Sequence, residues 1–197
     1  PTDDPLDAPP PRGLAIYKPI RGERPLWDFP NGLFRREVAA YRLGRATGLD
    51  VIPPTVERTD APLGIGSLQW FVDAEFSEHY FSLLERPALH PRLRQLALFD
   101  LLANNTDRKA GHCLFEPATE LVWGIDNGLC FSLHARLRTV IWDFAGSALT
   151  AAETELLAVV GSGAVGDVLA DLLADEEITA VGKRATDLLE RGEFPDD

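Results

Sequence analysis

Four charged residues of the sequence stand at the ends of predicted elements, where their side chains can reach a common site. They are Lys18, Glu37, Asp107 and Asp126, and the first two and the last two are each separated by 19 positions. A strand lysine can neutralise phosphates, and a glutamate on the next helix can hold that lysine in place. A loop aspartate can orient a hydroxyl and receive its proton, while a second aspartate holds a metal ion. The order of residue types therefore predicts phosphoryl-transfer chemistry.

Each of these residues also has an ordinary structural interpretation. Lys18 precedes a proline and can be a strand-end lysine in water, and Glu37 follows two arginines and can be one more charge on a helix face. Asn127-Gly128 is a strong hairpin signal, so Asp126 can belong to a turn. Taken one at a time, these interpretations are favoured; the shared order along the chain is what argues against them.

The surrounding pattern predicts an α+β fold. An apolar run closed by Pro19 predicts a strand over 14–18, followed by a loop over 20–32. Amphipathic spacing predicts a helix over 33–47 that ends at Gly48, and a second helix over 93–103. Further strands are predicted over 51–56, 67–72, 112–115 and 121–125, with three short helices from position 150 onward.

Composition limits the class of protein. The chain has 197 residues, 45% of them hydrophobic and 25% charged, which suits one or two small globular domains. It has no apolar run near the roughly 18 residues of a membrane span, and its two cysteines are too few for a disulfide scaffold. We therefore expect a cytoplasmic protein. The scarcity of lysine suggests a GC-rich bacterial genome, and the absence of methionine suggests a fragment of a longer chain.

The net charge of −12 is concentrated at the C-terminal end. Residues 151–197 hold twelve acids and three bases, a net of −9, whereas residues 1–60 are neutral overall. The charge argues against nucleic acid or an anionic membrane as a partner held by bulk attraction. Because the first 150 residues are nearly neutral, a phosphate site remains compatible with them.

Two segments carry a resemblance to a known superfamily. The two segments are Asn105-Thr106-Asp107-Arg108 and Ile125-Asp126-Asn127-Gly128-Leu129. The resemblance is to the catalytic and metal-binding loops of phosphatidylinositol 3-/4-kinase relatives, and the motif residues are most similar to those of the type II phosphatidylinositol 4-kinases. Over roughly residues 14–146 the chain is most similar to an actinobacterial, kinase-like branch of that superfamily. The resemblance implies a two-lobed protein-kinase-like fold with a reduced N-terminal lobe.

The resemblance also implies domains and residue roles. It divides the chain into a disordered leader (1–13), an N-lobe (14–72), a C-lobe (73–149) and an acidic helical tail (150–197). Lys18 is implied as the phosphate-binding lysine and Glu37 as its partner, with Asp107 as catalytic aspartate and Asp126 as metal ligand. The implied adenine-reading hinge consists of Gln69, Trp70, Phe71 and Val72.

The sequence departs from the superfamily pattern in two places. His112 stands five positions after Asp107, where the relatives have a metal-binding asparagine. It is compatible with an altered metal preference, since imidazole suits Mn²⁺ better than Mg²⁺, with slow turnover, or with a structural role. The strands and phosphate-covering loop expected before Lys18 are also missing. Either they lie upstream of Pro1 or the nucleotide grip is reduced.

These observations predict an ATP-dependent phosphotransferase that uses Mg²⁺ or Mn²⁺ and acts on a hydroxyl of a protein or small molecule. A lipid acceptor is disfavoured by the acidic tail and by the lack of a basic amphipathic helix. Arg136 and Arg138 are interpreted as solvated charges in preference to contacts with an anionic substrate. The alternatives are a weak or inactive nucleotide-binding scaffold and an enzyme that transfers AMP.

Overall fold

The computed structural model describes residues 13–134 and 136–196, so the predicted leader lies outside the described residues except for Gly13. The described part is a mixed α+β protein, which confirms the predicted class. Its strands are β1 (Ala15–Pro19), β2 (Thr55–Arg58), β3 (Gly66–Trp70), β4 (Cys113–Glu116) and β5 (Leu121–Gly124). Its helices are α1 (Leu33–Thr47), α2 (Tyr80–Leu84), α3 (His90–Ala103), α4 (Ala151–Gly161) and α5 (Asp175–Arg191).

Strands β1, β3 and β2 form an antiparallel sheet in that order, with α1 against one face. Lys18 is paired with Ser67, and Gln69 is paired with Thr55, so these side chains share a face. The predicted strand over 51–56 is wrong over its first four residues, because β2 begins only at Thr55. Pro53 and Pro54 have no N–H group to donate to a neighbouring strand, so strand pairing begins only after them.

Helix α1 has the bounds that the sequence predicts. It follows Gly32 at φ 92° and ends at Gly48 at φ 72°, positions where a side chain would be strained. Gly32 has no side chain that can cap the helix. The Glu23 carboxylate supplies the cap instead, accepting hydrogen bonds from the backbone N–H of Gly32 at 2.9 Å and of Phe34 at 2.8 Å. The loop before α1 is thereby attached to the start of the helix.

Helix α3 and the β4–β5 hairpin form the frame of the second half. Seven apolar side chains of α3 are buried: Leu93, Leu96, Ala97, Leu98, Phe99, Leu102 and Ala103. The hairpin turn lies between β4 and β5, and the segment after β5 leaves the ladder at Asp126, whose φ is 61°. Among the described residues Asn127-Gly128 therefore does not connect two paired strands, so the hairpin signal is wrong here. A turn does follow Asp126, in which the Cys130 N–H donates to the Asn127 carbonyl at 3.2 Å.

The C-terminal region of the described chain contains two α-helices, α4 and α5, so the prediction of three helices there is wrong. Between them, residues 162–173 form a run of turns, with bonds from Gly166 N to Gly163 O and from Leu169 N to Gly166 O. These three-residue turns replace α-helical bonds after Gly163, which has φ 85°. Among the described helices, none is both long and apolar enough to cross a membrane.

Candidate active site

Three of the four predicted charged residues meet directly. The Lys18 ammonium lies 2.5 Å from Glu37 Oε1 and 3.0 Å from Asp126 Oδ1, although Asp126 is 108 positions away in sequence. The Glu37 side chain is only 4% exposed, whereas that of Asp126 is 52% exposed. Glu37 also accepts the backbone N–H of Asn127 at 3.1 Å. A buried carboxylate with these partners is not a solvated charge on a helix face.

The carboxylates determine the charge state of this cluster. Burial disfavours the charged form of Lys18, but Glu37 and Asp126 together outweigh it and raise the pKa of the ammonium. Burial likewise opposes ionisation of Asp126, and the neighbouring Lys18, aided by His112 and Lys109, lowers the pKa of the carboxyl below its ordinary value. At neutral pH Lys18 is therefore an ammonium and Asp126 a carboxylate, and the ammonium lies between Asp126 and Glu37.

Asp107 lies on the loop that follows α3. Asn104 ends the helix at φ 47°, and the Asn105 side chain accepts the backbone N–H of Asp107 at 3.0 Å. The Asp107 side chain is 34% exposed, and its Oδ2 is 2.7 Å from the Lys109 ammonium. This ion pair raises the pKa of Lys109, chiefly through the hydrogen bond itself. Lys109 was not predicted as a site residue, although it lies two positions after the aspartate.

A fully buried ion pair supports the loop beneath Asp107. Arg108 and Asp100 are both 0% exposed at the side chain, and the guanidinium contacts the carboxylate at 2.9, 3.1 and 3.2 Å. Asp100 raises the pKa of Arg108 despite the opposing effect of burial. Asp100 also accepts hydrogen bonds from Asn105 at 2.9 Å and from Thr139 at 3.1 Å. The carboxylate thus joins α3, the Asp107 loop and the segment at 139.

The same guanidinium reaches the loop that carries Asp126. Arg108 donates to the Ile125 carbonyl and to Asn127 Oδ1, both at 2.7 Å. One buried cation therefore fixes the two aspartate loops relative to each other. Asp100 is not among the site residues that the sequence predicts. The available signal was a lone aspartate inside the apolar pattern of a helix, because a buried carboxylate requires partners.

His112 lies next to Asp126, with its Nε2 at 3.5 Å from Asp126 Oδ2. Its other ring nitrogen, Nδ1, accepts the Lys109 backbone N–H at 3.4 Å, which assigns the proton of the neutral ring to Nε2. Burial lowers the pKa of His112 more than Asp126 raises it. Within the described residues, no group of three His, Cys, Asp or Glu side chains is arranged to hold a metal ion.

The predicted hinge residues differ in what they offer a ligand. Gln69 is buried and donates from its side chain to Thr55 at 3.0 Å. Trp70 lies on the opposite face of β3 from Ser67 and Lys18, because neighbouring strand residues alternate. The backbone N–H groups of Trp70 and Phe71 donate to Pro54 and Leu14, and Val72 is buried.

Two adjoining cavities meet at Asp107. The first has a volume of about 420 Å³ and is lined by Lys18, Glu37 and Asp126 together with part of the loop over 20–32. The second has a volume of about 560 Å³ and is lined by Trp27, Arg136 and Arg138. Asp107 lies in the wall of both cavities. The arrangement can present one carboxylate to two molecules bound side by side.

Comparison with known proteins relates the chain to a bacterial protein. It is 37% identical over 220 aligned residues to Protein Rv2133c of Mycobacterium tuberculosis (strain ATCC 25618 / H37Rv). The alignment covers 92% of this chain and 78% of the mycobacterial protein. The chain belongs to the Rv2133c family. Since no family model matches the chain, membership in the Rv2133c family rests on this similarity along most of the sequence.

Proposed function

We propose that this member of the Rv2133c family is an ATP-dependent phosphotransferase with an atypical, two-lobed kinase-like fold. The proposal is carried by one observation: Lys18 is held between a buried glutamate and an exposed aspartate on the wall of a cavity that also contains Asp107. The sheet with α1 would be one lobe, and α3 with the hairpin would be the core of the other. Phosphoryl transfer depends mainly on such positioning and on charge stabilisation.

In the proposed reaction the acceptor hydroxyl oxygen attacks the γ-phosphorus of ATP. A new P–O bond forms, the bond to the bridging β-phosphate oxygen breaks, and ADP leaves with that electron pair. Asp107 orients the hydroxyl and receives its proton, and the ion pair with Lys109 holds the carboxylate in place. Lys18, positioned by Glu37, neutralises the α- and β-phosphates.

The side chains on the cavity wall suit a hard divalent cation whose remaining ligands come from the substrate. Asp126 offers a half-exposed carboxylate on the cavity wall, and Mg²⁺ in proteins commonly uses one or two carboxylates plus phosphate oxygens and water. When bound, such an ion neutralises phosphate charge. His112 would be a second ligand only after moving its proton from Nε2 to Nδ1, which faces the Lys109 N–H. This favours a supporting role for His112 and keeps a weakly active or inactive nucleotide-binding protein as the second candidate.

The second cavity is the proposed entry for the acceptor. It shares Asp107 with the first cavity, which is the proposed nucleotide site. An aspartate that orients the acceptor hydroxyl has to lie between the two molecules in this way. Two exposed arginines, Arg136 and Arg138, line it beside Trp27, which is 94% exposed. This lining suits a soluble, anionic hydroxyl compound. On the nucleotide side, none of the four predicted hinge residues is among those that line the Lys18 cavity.

Binding and transfer are tested in sequence. Thermal unfolding is measured with ATP, alone and with Mg²⁺ or Mn²⁺; an upward shift supports nucleotide binding, and no shift in any condition refutes the proposal. Mass spectrometry after incubation with ATP follows, with small hydroxyl compounds and the protein itself as acceptors. A gain of one phosphate supports phosphoryl transfer, a gain of AMP supports nucleotide transfer, and no gain favours the scaffold.

The assigned aspartate is tested with a matched pair of variants. Asp107→Asn removes the proton acceptor and should lower transfer at least about 100-fold while leaving ATP-induced stabilisation in place. Asp60→Asn makes the same change at an exposed position outside both cavities and should leave transfer unchanged. Full activity of Asp107→Asn would contradict the assigned role.

A further inference from the structure

The segment from Ile20 to Gly32, between β1 and α1, is held in place at three points. Its first residue donates its backbone N–H to the Ile65 carbonyl at 2.9 Å. In the middle, Glu23 accepts two hydrogen bonds from the start of α1. Near the end, Phe29 is buried with the Arg36 guanidinium 5.4 Å from its ring centre. A loop with three attachments presents the side chains between them in a defined place.

The part of this loop between the attachments lines the cavity of Lys18 and Asp126. Gly22, Arg24 and Leu26 all contribute to its wall. Arg24 is exposed, and within the described part of the chain it takes part in no ion pair and no hydrogen bond. Its guanidinium is therefore free to meet a ligand in the cavity.

The charges around this cavity mean that a polyanion needs such a cation in order to bind there. Four carboxylates line it, those of Glu23, Glu37, Asp107 and Asp126, against two basic side chains. One of the two, Lys18, is already shared by Glu37 and Asp126. The Glu23 carboxylate is occupied by helix N–H groups. Among the described lining residues, Arg24 is thus the basic group that no carboxylate neutralises.

We propose that the loop over 20–32 is a polyphosphate-binding loop in which Arg24 donates to the phosphate chain of the nucleotide. The guanidinium fork matches phosphate oxygens in geometry and is always charged. The loop follows the phosphate-binding lysine in sequence, so it would cover the phosphates from the side of α1. This inference rests on the proposed function in so far as the polyphosphate belongs to ATP.

The test compares Arg24→Gln with Arg21→Gln. Arg21 lies in the same loop and is exposed, but it does not line the cavity. Calorimetry measures binding of ATP with Mg²⁺, of inorganic tripolyphosphate and of adenosine to the full chain. We expect Arg24→Gln to weaken ATP and tripolyphosphate about tenfold or more and to leave adenosine unchanged, with Arg21→Gln within about twofold of wild type. Arg24→Lys should restore part of the loss, because it retains the charge without the fork.

The outcomes separate this inference from the proposed function. If wild type binds ATP and Arg24→Gln binds it equally well, the loop assignment is wrong and the nucleotide site stands. If Arg24→Gln weakens adenosine binding as much as ATP binding, the assignment is also wrong, because Arg24 then does not act through the phosphates. If wild type binds tripolyphosphate through Arg24 but neither ATP nor adenosine, the loop assignment stands and the nucleotide function fails. Binding of none of the three ligands refutes both.

Discussion

Asp100→Asn is the sharpest test of how the two aspartate loops are held together. The substitution keeps the size and shape of the side chain and removes its charge. Arg108, whose side chain is 0% exposed, would then be a buried cation without a carboxylate partner. The bonds from Asn105 and Thr139 to the same carboxylate would be weakened as well.

The expected loss of stability follows from the burial of both partners. Removing one member of a fully buried ion pair costs about 3–5 kcal/mol, because the remaining charge has lost its solvation and its partner. The energy is a large part of the roughly 5–15 kcal/mol by which domains are stable. For a chain of this length each kcal/mol corresponds to about 2–4 °C, so the unfolding midpoint should fall by about 6–20 °C.

Urea unfolding followed by circular dichroism measures this loss, with Asp171→Asn as the matched control. Asp171 pairs with Arg42 at 2.5 Å, but their side chains are 64% and 36% exposed. An exposed pair contributes little, so the control should change stability by less than about 1 kcal/mol. If Asp100→Asn costs no more than Asp171→Asn, the buried pair does not support the loops and the argument fails.

Predictions for three further variants concern the helices and the metal side of the site. Glu37→Gln should weaken ATP binding about tenfold by calorimetry, because Lys18 loses a charged partner; unchanged affinity would contradict its positioning role. His112→Asn should increase the thermal stabilisation by ATP with Mg²⁺ relative to Mn²⁺. Burial holds the pKa of His112 in the folded protein below 6.5, so His112 takes up its proton more readily in the unfolded chain. The free energy of unfolding should therefore fall as the pH drops below 6.5. Urea titrations of His112→Asn should show a smaller decrease over the same pH range. Glu177→Gln breaks the buried pair with Arg36 of α1 and should lower the unfolding midpoint by more than Asp171→Asn does.

Local signals were sufficient for the elements that carry the site. Gly48 marked the end of α1, and the apolar spacing marked α3 and the strands of the hairpin. The structure brings together Lys18, Glu37 and Asp126, three residues that stand out in the sequence by type and order. Their selection was possible because charged residues at the ends of apolar elements stand out in a linear pattern.

Other parts of the site have no comparable signal in the linear sequence. The Asp100 carboxylate is one acid within an apolar helix, and Arg108 stands out in the sequence only as part of a family motif. Neither residue indicates that the other is its partner until α3 and the loop are folded together. The same holds for Glu23, whose value as a helix cap depends on Gly32 lying opposite it.

The sequence by itself determined the α+β class, the bounds of α1, and which charged side chains were candidates for phosphate chemistry, because these depend on local spacing and residue type. The tertiary structure decided which carboxylates Lys18 contacts, that Arg108 joins the two aspartate loops, and that the loop over 20–32 lines the same cavity. Such contacts link residues as far apart as 108 positions. They are set by the packing of α1, the sheet and the hairpin, which no local pattern specifies.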